Sequence, residues 1–373
     1  MARKPPIAPR VAAVAATTRD LPATPRTRTL DWPAATMVER GVISQLRFAG
    51  RALPPLELAP TRATFAIGRK SGDLIVPATI GVGVSALHAR LTRTGTGLRV
   101  IDAESKNGVF ASAQSPRVPS LEVQAGGRFW LADVELLATD AWLERLRPVL
   151  ALALGVDDYR AVDQALTAAS VGGPLALVGP VGTGAAWLAR HLHDLSPQRT
   201  GFYLPIDGVP IPHLDGAQGG TVFIDTDQVR RLPPRVLDAL FAQPPRLRPI
   251  LAASSPKALR ARLGEIAREV PIIDLAPLPA RRGDVLPILQ WLWTHELGSP
   301  RRIDDLGVPS LAAISAFRWP GNLDELRAYA PRLLAIAEHP SLRAAAVALG
   351  VTHQSLSSCL RRIGLSSARA RDD

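Results

Sequence analysis

The stretch LALVGPVGTGAAWL, residues 175–188, decides how the central part of this chain folds. A short apolar run at 175–178 leads into a glycine-rich turn, and a pattern that suits a helix follows from about residue 185 to residue 195. A buried strand, a glycine-rich turn and a helix are the context of a phosphate-binding loop, in which backbone amides face an anion. The stretch therefore predicts an α/β core with a parallel sheet.

Residues on both sides of this loop continue the alternation of helices and buried strands. Further strands are predicted at 221–224, 249–253 and 272–275, and further helices at 142–154, 159–169 and 233–242. Buried strands separated by helices are typical of a parallel sheet covered by helices. Residues 140–297 are therefore predicted to form an α/β domain, and residues 298–337 are predicted to be helical throughout.

The preceding part of the chain has a different pattern. Short alternating runs at 44–48, 63–67, 89–92, 98–102, 109–111 and 129–137 are separated by Gly, Pro and polar turns. This pattern predicts an all-β sandwich or barrel over residues 45–139. Residues 1–44 are rich in Pro, Ala, Thr and Arg, and we expect a disordered basic tail there. Its threonines are either linker composition or kinase targets: Thr17, Thr18, Thr24, Thr27 and Thr29.

Composition narrows the classes of protein to which the chain can belong. Its 373 residues suit two or three domains, and the net charge of +11 favours an acidic partner such as nucleic acid. The single cysteine, Cys359, rules out an internal disulfide framework and is interpreted as a small buried or semi-buried residue. The longest apolar run, around 149–156, is too short to span a bilayer. We therefore expect a cytoplasmic protein with no membrane partner.

The C-terminal residues 338–373 carry the signature of two short helices. Residues 342–349 suit a first helix, Gly350 a turn, and Thr352 the cap of a second helix that ends near residue 363. Such a pair forms a helix-turn-helix, in which short polar side chains read base edges and arginines suit phosphates. The alternative is a plain helical hairpin. The candidate DNA-binding residues are His353, Gln354, Ser357, Ser358, Arg361 and Arg362.

Three polar motifs stand in the loops of the predicted β region. They are Gly68-Arg69, Ser85-x-x-His88 and Ser105-Lys106-Asn107-Gly108. A bound phosphate needs charge-assisted and neutral donors that converge from different loops. Arg69 offers a guanidinium, Ser85 a hydroxyl, and Asn107 an amide that can pair with a peptide backbone. Ordinary polar β-turns are the alternative interpretation of these motifs.

In this order the three motifs resemble those of a forkhead-associated (FHA) domain, over about 95 residues. The resemblance implies a sandwich that binds phosphothreonine peptides, with Arg69 and Ser85 on the phosphate and Asn107 on the peptide main chain. It also implies that His88 shapes the loops. A domain that keeps this fold but has lost binding is the alternative. The expected phosphopeptide-binding residues are Arg69, Ser85, Ser105, Lys106 and Asn107.

The glycine-rich loop lacks the side chain that makes such loops catalytic. A working P-loop has a lysine after its last glycine that reaches the β- and γ-phosphates, and Ala185 occupies this position. The backbone amides could still cradle a phosphate, and Asp225 could help to hold a magnesium ion. The vestigial nucleotide-binding residues are predicted to be Gly179, Gly182, Thr183, Gly184 and Asp225.

Four motifs together resemble the sigma-54-dependent enhancer-binding proteins, from about residue 174 to the C-terminus. They are GPVGTG at 179–184, GGTVFID at 219–225, WPGNLDEL at 319–326 and a Fis-like helix-turn-helix. The resemblance implies an AAA+ α/β core, a helical lid at 298–337 and a Fis-type DNA-binding domain. The stretch LPARRGDV at 278–285 fits the same family.

The departures from this family concern the residues that handle ATP. The resemblance implies that a water-polarising glutamate is replaced by Thr226, a nucleotide-sensing arginine by Asp324, and a γ-phosphate-pairing asparagine by Ser255. Near the expected arginine finger, Arg260 is in register and Arg268 is not. Since electrostatic clamping supplies most of phosphoryl-transfer catalysis, the chain is predicted to be a pseudo-ATPase and not an enzyme.

A loop that defines the activity of this family is also missing. The family carries a GAFTGA motif that grips the sigma factor, and residues 207–218 leave no place for it before Gly219. The missing loop argues against contact with the sigma-54 RNA polymerase. No cofactor is expected to be required, while residual ATP or ADP binding and homo- or hetero-oligomers through the AAA+ core stay open.

Two functions follow from these motifs. The first is a transcription regulator that binds DNA and receives a phosphothreonine input, either from a partner protein or from its own phosphorylated tail. The second is a phosphopeptide-binding signalling adaptor whose ATPase and DNA-binding ends are vestigial. Salt-sensitive, sequence-dependent DNA binding separates the two.

Overall fold

The computed structural model describes residues 42–95, 97–206, 219–229, 236–237, 240–241 and 247–365. The predicted basic tail lies outside these residues up to position 41, as does most of the predicted helix at 233–242. Within the described residues, we find no helix with the length and apolar character needed to cross a membrane.

The first part of the described chain folds into two β-sheets with a shared core. Its strands are β1 (Ile43–Phe48), β2 (Leu56–Glu57), β3 (Thr64–Gly68), β4 (Leu74–Ile75), β5 (Ala89–Arg93), β6 (Leu98–Asp102), β7 (Val109–Phe110), β8 (Arg117–Val118), β9 (Ser120–Val123), β10 (Arg128–Leu131) and β11 (Val134–Asp140). One sheet has the order β2-β1-β11-β10-β7-β8, and the other β4-β3-β5-β6-β9. Buried apolar residues of both sheets, such as Leu46, Leu91 and Phe129, pack in one cluster. The predicted all-β fold is confirmed as a sandwich.

Two details of the sandwich differ from the sequence prediction. The predicted strand at 129–137 is a hairpin of β10 and β11, because the chain reverses at Ala132, which has a left-handed φ of 56°. The sequence pattern also misses β2, β4, β8 and β9. Strands of two to four residues are too short to show an alternating pattern.

The sandwich continues into the next helix without a linker. Strand β11 ends at Asp140, and helix α1 (Ala141–Leu154) begins at the next residue. The Asp140 carboxylate accepts a hydrogen bond from the Leu143 N–H at 2.9 Å, which caps the helix. Helix α2 (Tyr159–Ser170) packs against α1.

Polar contacts hold the sandwich against these two helices. The Gly50 N–H donates to the carboxylate of Asp163 in α2 at 2.8 Å, and Arg47 forms an ion pair with Glu144 in α1. Burial raises the pKa of Asp163, although the Gly50 N–H and the charge of Arg147 work in the opposite direction. The sandwich is thus bonded to both helices.

The α/β region contains the parallel sheet that the sequence predicts. Its strands are β12 (Leu175–Val178), β13 (Tyr203–Ile206), β14 (Gly220–Asp225), β15 (Leu247–Ala253) and β16 (Ile272–Asp274). The strands are all parallel and have the order β13-β14-β15-β12-β16. Strand β12, the first of them along the chain, therefore lies inside the sheet between β15 and β16. Helix α3 (Ala185–Asp194) follows β12 through the glycine-rich loop, and helix α4 (Pro256–Leu263) follows β15. The predicted α/β fold is confirmed, with β13 as an additional edge strand.

The remaining α-helices follow the parallel sheet along the chain and end in a C-terminal pair. They are α5 (Val285–Trp291), α6 (Val308–Ala316), α7 (Asn322–Glu338), α8 (Leu342–Ala348) and α9 (His353–Arg362). The prediction that residues 298–337 are helical throughout is wrong, because residues 298–302 and 317–321 are not helical. Pro300 and Pro320 have no amide donor for a helix, and the buried Trp319 has a left-handed φ of 48°.

Candidate functional site

The three motifs of the predicted phosphopeptide site meet at one end of the sandwich. The first follows β3, the second precedes β5, and the third lies between β6 and β7. The Arg69 N–H donates to the Ser85 carbonyl at 2.9 Å, and the Arg69 Nε donates to the Val84 carbonyl at 3.1 Å. These bonds tether the arginine to the loop of Ser85 and leave donors on both Nη atoms for a phosphate.

The second and third motifs are joined by two further hydrogen bonds. The Lys106 N–H donates to the Ser85 Oγ at 2.9 Å, and the Asn107 Nδ2 donates to the Gly83 carbonyl at 2.7 Å. The side chains of Lys106 and Asn107 are exposed, and that of Ser85 is half-buried. The Ser85 hydroxyl proton and the Asn107 Oδ1 remain available to a ligand. Arg69, Ser85, Lys106 and Asn107 are thus brought together.

Ser105 is placed differently from the prediction. It is buried, and its hydroxyl accepts a hydrogen bond from the Gly108 N–H at 2.9 Å. Its own N–H donates to the Asp102 carboxylate at 2.9 Å. A side chain held inward by these bonds shapes the loop, and the prediction of a phosphate contact from Ser105 is corrected accordingly.

The sequence analysis misses the ion pair that supports this loop. Arg117 pairs with Asp102 and also donates through Nη2 to the Ser105 carbonyl at 2.9 Å. Burial tends to raise the pKa of Asp102, but the hydrogen bonds from Ser105 and the Arg117 contact lower it overall. The aspartate three residues before Ser105 is a local signal for such a turn, whereas nothing in the sequence points to Arg117.

His88 links the second and third motifs from the interior of the sandwich. Its Nδ1 accepts a hydrogen bond from the Ser85 N–H at 3.0 Å, so its Nε2 carries the proton and donates to the Gly108 carbonyl at 2.8 Å. Burial lowers the pKa of His88, against the effects of Gly108 and Asp102. The ring is fully buried and shapes the loops as expected.

The glycine-rich loop between β12 and α3 is covered by the turn that precedes α7. A Cβ at Gly182 would lie 2.4 Å from the Gly321 carbonyl oxygen, and a Cβ at Gly184 would lie 2.5 Å from the side chain of Leu323. Both glycines also have positive φ values, +82° and +91°. The positive φ values favour glycine at both positions, and at Gly182 the close approach of the Gly321 carbonyl leaves no room for a side chain.

Hydrogen bonds fix this covering turn on the loop. The Asn322 Nδ2 donates to the Val181 carbonyl at 2.9 Å, and its Oδ1 accepts from the Leu278 N–H at 3.1 Å. The Asp324 N–H donates to the Gly182 carbonyl at 3.0 Å. Asp324 is thereby anchored beside the loop. Burial raises the pKa of its carboxyl group above the ordinary value, although the charge of Arg327 works in the opposite direction.

The remaining predicted nucleotide-binding residues are engaged within the protein. Thr183 is buried and donates through its hydroxyl to the Pro180 carbonyl at 2.8 Å. The Asp225 carboxylate accepts from the Asp227 N–H at 3.1 Å and from Gln228 at 2.7 Å. Gly179 lies at the same edge of the sheet, since its N–H donates to Ala253 of the strand that pairs with β14.

Three other positions singled out in the sequence also have internal partners. Thr226 is fully buried, and its hydroxyl donates to the Ala252 carbonyl at 2.7 Å. The Ser255 hydroxyl caps α4 by accepting from the Ala258 N–H. Arg268 pairs with Glu265 on the surface.

The arginine in register with the expected finger contacts its own helix. The Arg260 Nε donates to the Pro256 carbonyl at 3.3 Å.

Helix α9 presents most of the candidate DNA-binding residues to solvent. Leu356 and Leu360 are buried on one side of this helix, and the Thr352 hydroxyl caps it by accepting from the Ser355 N–H at 3.1 Å. Ser357 is half-buried. The exposed candidates are His353, Gln354, Ser358, Arg361 and Arg362.

About half of the chain is similar in sequence to one transcriptional regulatory protein. No protein-family model matches the chain. An alignment of 229 residues with the hydrogenase transcriptional regulatory protein HoxA of Cupriavidus necator is 29% identical and covers 48% of this chain and 47% of HoxA. The chain thus spans about half the length of the curated relative that it matches.

Two solved structures resemble separate parts of the chain. The FHA domain of the CT664 protein from Chlamydia trachomatis is 19% identical with a TM-score of 0.23, over 27% of this chain and 98% of that one. NtrX from Brucella abortus, in complex with ADP, is 17% identical with a TM-score of 0.35, over 55% of this chain and 68% of that one.

The resemblance expected from the motifs is confirmed. The chain joins a β-sandwich, which resembles solved FHA domains, to an α/β region, and a stretch of 229 residues resembles a transcriptional regulatory protein.

Proposed function

We propose that this protein is a DNA-binding transcription regulator with a phosphothreonine-peptide input and an inactive ATPase core. The observation that carries the proposal is the convergence of Arg69, Ser85, Lys106 and Asn107 at one end of the sandwich. It occurs on a chain that is similar to a transcriptional regulatory protein.

The input site has the chemistry that a phosphothreonine requires. Arg69 and Lys106 supply positive charge, and Ser85 supplies a neutral donor. The Asn107 side chain, held by the Gly83 carbonyl, can accept from a peptide N–H. The phosphopeptide would come from a partner protein or from the phosphorylated tail of the same chain.

The core acts as a scaffold in this proposal. Ala185 supplies no charge to a phosphate, Asp324 places a negative charge beside the loop, and Thr226 is buried where a water-polarising carboxylate would be needed. The covering turn is held on the loop by a hydrogen bond from the Asp324 N–H to the Gly182 carbonyl, so this carbonyl is engaged within the protein. No nucleotide is required, and assembly with further copies or with a homologue would use this core.

The output would be promoter DNA held by α9. His353, Gln354 and Ser358 can reach base edges, while Arg361 and Arg362 suit phosphates. We do not propose contact with the sigma-54 RNA polymerase.

The input is tested with a library of phosphothreonine peptides read by fluorescence anisotropy. We expect binding by the wild-type protein, none to the unphosphorylated peptides, and a severe loss with Arg69→Ala. Equal binding by the wild-type protein and this variant would reject the site.

The output is tested by electrophoretic shift with genomic fragments at near-physiological salt. We expect sequence-dependent binding that weakens with added salt and with Arg361→Ala. Phosphopeptide binding without any such shift would favour the signalling adaptor instead.

The core is tested by steady-state ATP hydrolysis. We expect no turnover above that of a buffer blank. Turnover that disappears with Asp225→Ala would overturn the assignment of an inactive core.

A further inference from the structure

The last turn of α9 is tied to the first turn of α7 by an ion pair. The Arg362 Nη2 lies 3.0 Å from the Glu325 Oε1. The two side chains differ in exposure, since Glu325 is 11% exposed and Arg362 is 62% exposed. The glutamate is therefore the fixed member of the pair, and the arginine is the member that solvent and ligands can reach.

The second oxygen of the same carboxylate holds the turn over the glycine-rich loop. The Gly321 N–H donates to the Glu325 Oε2 at 2.8 Å. The Gly321 carbonyl oxygen is the atom that approaches Gly182 so closely that a side chain there would collide with it. One carboxylate thus connects the candidate DNA-reading helix with the cover of the vestigial nucleotide loop.

We propose that Glu325 is a positioning residue for DNA binding, which holds Arg362 in the free protein and releases it to a DNA phosphate. Release would remove one of the two partners of the carboxylate and loosen the Gly321 turn over Gly182. This inference rests on the proposed DNA-binding function and adds a link between the DNA-reading end and the core.

The free energies involved allow Arg362 to exchange its partner Glu325 for a DNA phosphate. An ion pair with one largely exposed partner is weak, whereas a DNA phosphate attracts an arginine strongly at low salt. Glu325 retains the Gly321 N–H and the positive end of the α7 dipole when Arg362 leaves, so its charge stays stabilised.

The exchange needs only a side-chain movement. Leu356 and Leu360 of α9 are buried, and the Tyr329 hydroxyl of α7 donates to the Cys359 carbonyl at 3.4 Å. Helix α9 can therefore stay docked while the guanidinium of Arg362 turns from Glu325 to a phosphate.

The first experiment measures the affinity of the full chain for a DNA fragment that the wild-type protein shifts. We expect Glu325→Gln to bind about twofold to fivefold more tightly, the range for release of a weak ion pair, and Arg362→Ala to bind more weakly. The double variant should bind like Arg362→Ala alone. Glu338→Gln, at the far end of α7, removes the same charge and should bind like the wild-type protein.

Two outcomes of this experiment contradict the exchange. One is equal affinity of Glu325→Gln and the wild-type protein, and the other is tighter binding by Glu325→Gln that persists without Arg362. Failure of every variant to bind any fragment would instead contradict the DNA-binding function itself, and with it the release of Arg362 to DNA.

The second experiment needs no DNA. Hydrogen exchange is followed for the peptide that spans the turn before α7, in the wild-type protein, Arg362→Ala and the neighbouring control Arg361→Ala. We expect faster exchange at Gly321 with Arg362→Ala and no change with the control. Unchanged exchange in both variants would overturn the link to the core.

Discussion

The chain contains two loops with phosphate-binding character, and they have opposite surroundings. In the sandwich, the loops around Ser85 and Asn107 bond to one another and leave cationic and neutral donors facing solvent. In the α/β region, the glycine-rich loop lies beneath a turn that packs against Gly182 and Gly184. The loops of the sandwich direct hydrogen-bond donors to solvent, whereas the glycine-rich loop packs against other residues of the protein.

The two regions differ in backbone packing and in the charged groups that they present. Positive φ values favour glycine at 182 and 184, and close packing leaves no room for a side chain at 182. The loop has an uncharged side chain at Ala185, and the acidic residue Asp324 lies in the helix beside it. A glycine pattern therefore predicts a backbone conformation, while the charged side chains around it determine how strongly a phosphate is attracted.

The covering turn offers the largest expected effect. Asn322→Ala removes two hydrogen bonds and places alanine at a left-handed φ of 54°. We expect the free energy of unfolding to fall by about 3 kcal/mol in urea titrations, since the buried Leu278 N–H is left unpaired, the bond to the Val181 carbonyl is lost, and alanine is strained at this φ. Asn322→Gly is the matched control, because it loses the same bonds without the backbone strain and should be less damaging. A loss below about 0.5 kcal/mol for both variants, within the usual range of surface substitutions, would mean that the turn is not fixed by Asn322.

The open site gives the next effect. Arg69→Ala should weaken phosphothreonine-peptide binding by about 10-fold to 100-fold, because a charge-assisted hydrogen bond to a phosphate is lost. Calorimetric titration measures the change. Arg99→Ala is a suitable control, since this arginine pairs with Glu122 on the surface of the same sheet. A similar loss in both variants would indicate a general effect of charge.

Acid should destabilise the folded loops around His88 at a pH at which Arg69 and Lys106 keep their positive charges. Burial lowers the pKa of His88 below its ordinary value of 6.5, so the unfolded chain takes up a proton before the folded one does. The contribution of the neutral ring is intact above about pH 6.5 and is lost as the pH falls towards the folded pKa. The pKa values of His191 and His193 are also lowered by burial and act with the same sign.

This pH dependence is measured as the free energy of unfolding between about pH 7.5 and pH 5, the interval that brackets the ordinary histidine pKa. We expect His88→Gln to have a shallower slope than the wild-type protein. Parallel curves would show that His88 does not contribute to the acid sensitivity.

The covered loop should give the smallest effect of all. Magnesium ATP or ADP at millimolar concentration should leave the midpoint of thermal unfolding unchanged, because a ligand stabilises only the states that it binds. Ala185→Lys should not respond either, since it restores one charge and leaves Asp324 and the covering turn in place. A clear rise in the midpoint for the wild-type protein would show that the loop still accepts nucleotide.

Much of the fold follows from local patterns. The run at 175–178 and its glycine turn predict the strand, loop and helix that the structure contains, because a short apolar run and a helical period of apolar residues are strong local signals. The uniform helix predicted at 298–337 fails at Pro300, Trp319 and Pro320, where local chemistry interrupts the apolar pattern. Edge strand β13 is missed because a short strand depends on its neighbour β14 for pairing.

The candidate site was predictable to a similar degree. The motif order brought Arg69, Ser85, Lys106 and Asn107 into consideration, and the structure places them together. The resemblance to FHA domains implies a phosphate contact from Ser105, but its side chain is buried and its hydroxyl accepts from the Gly108 N–H.

By itself, the sequence determined the sandwich, the parallel sheet and the missing lysine, because periodicity, glycine turns and residue identity are local properties. Only the tertiary structure decided that the glycine-rich loop is covered and that Ser105 is turned inward. The pairing of Arg362 with Glu325, 37 positions apart, was decided in the same way. The contacts over the glycine-rich loop and the Arg362–Glu325 pair join residues distant in sequence and depend on how whole elements pack, whereas Ser105 bonds within its own loop to residues three positions away.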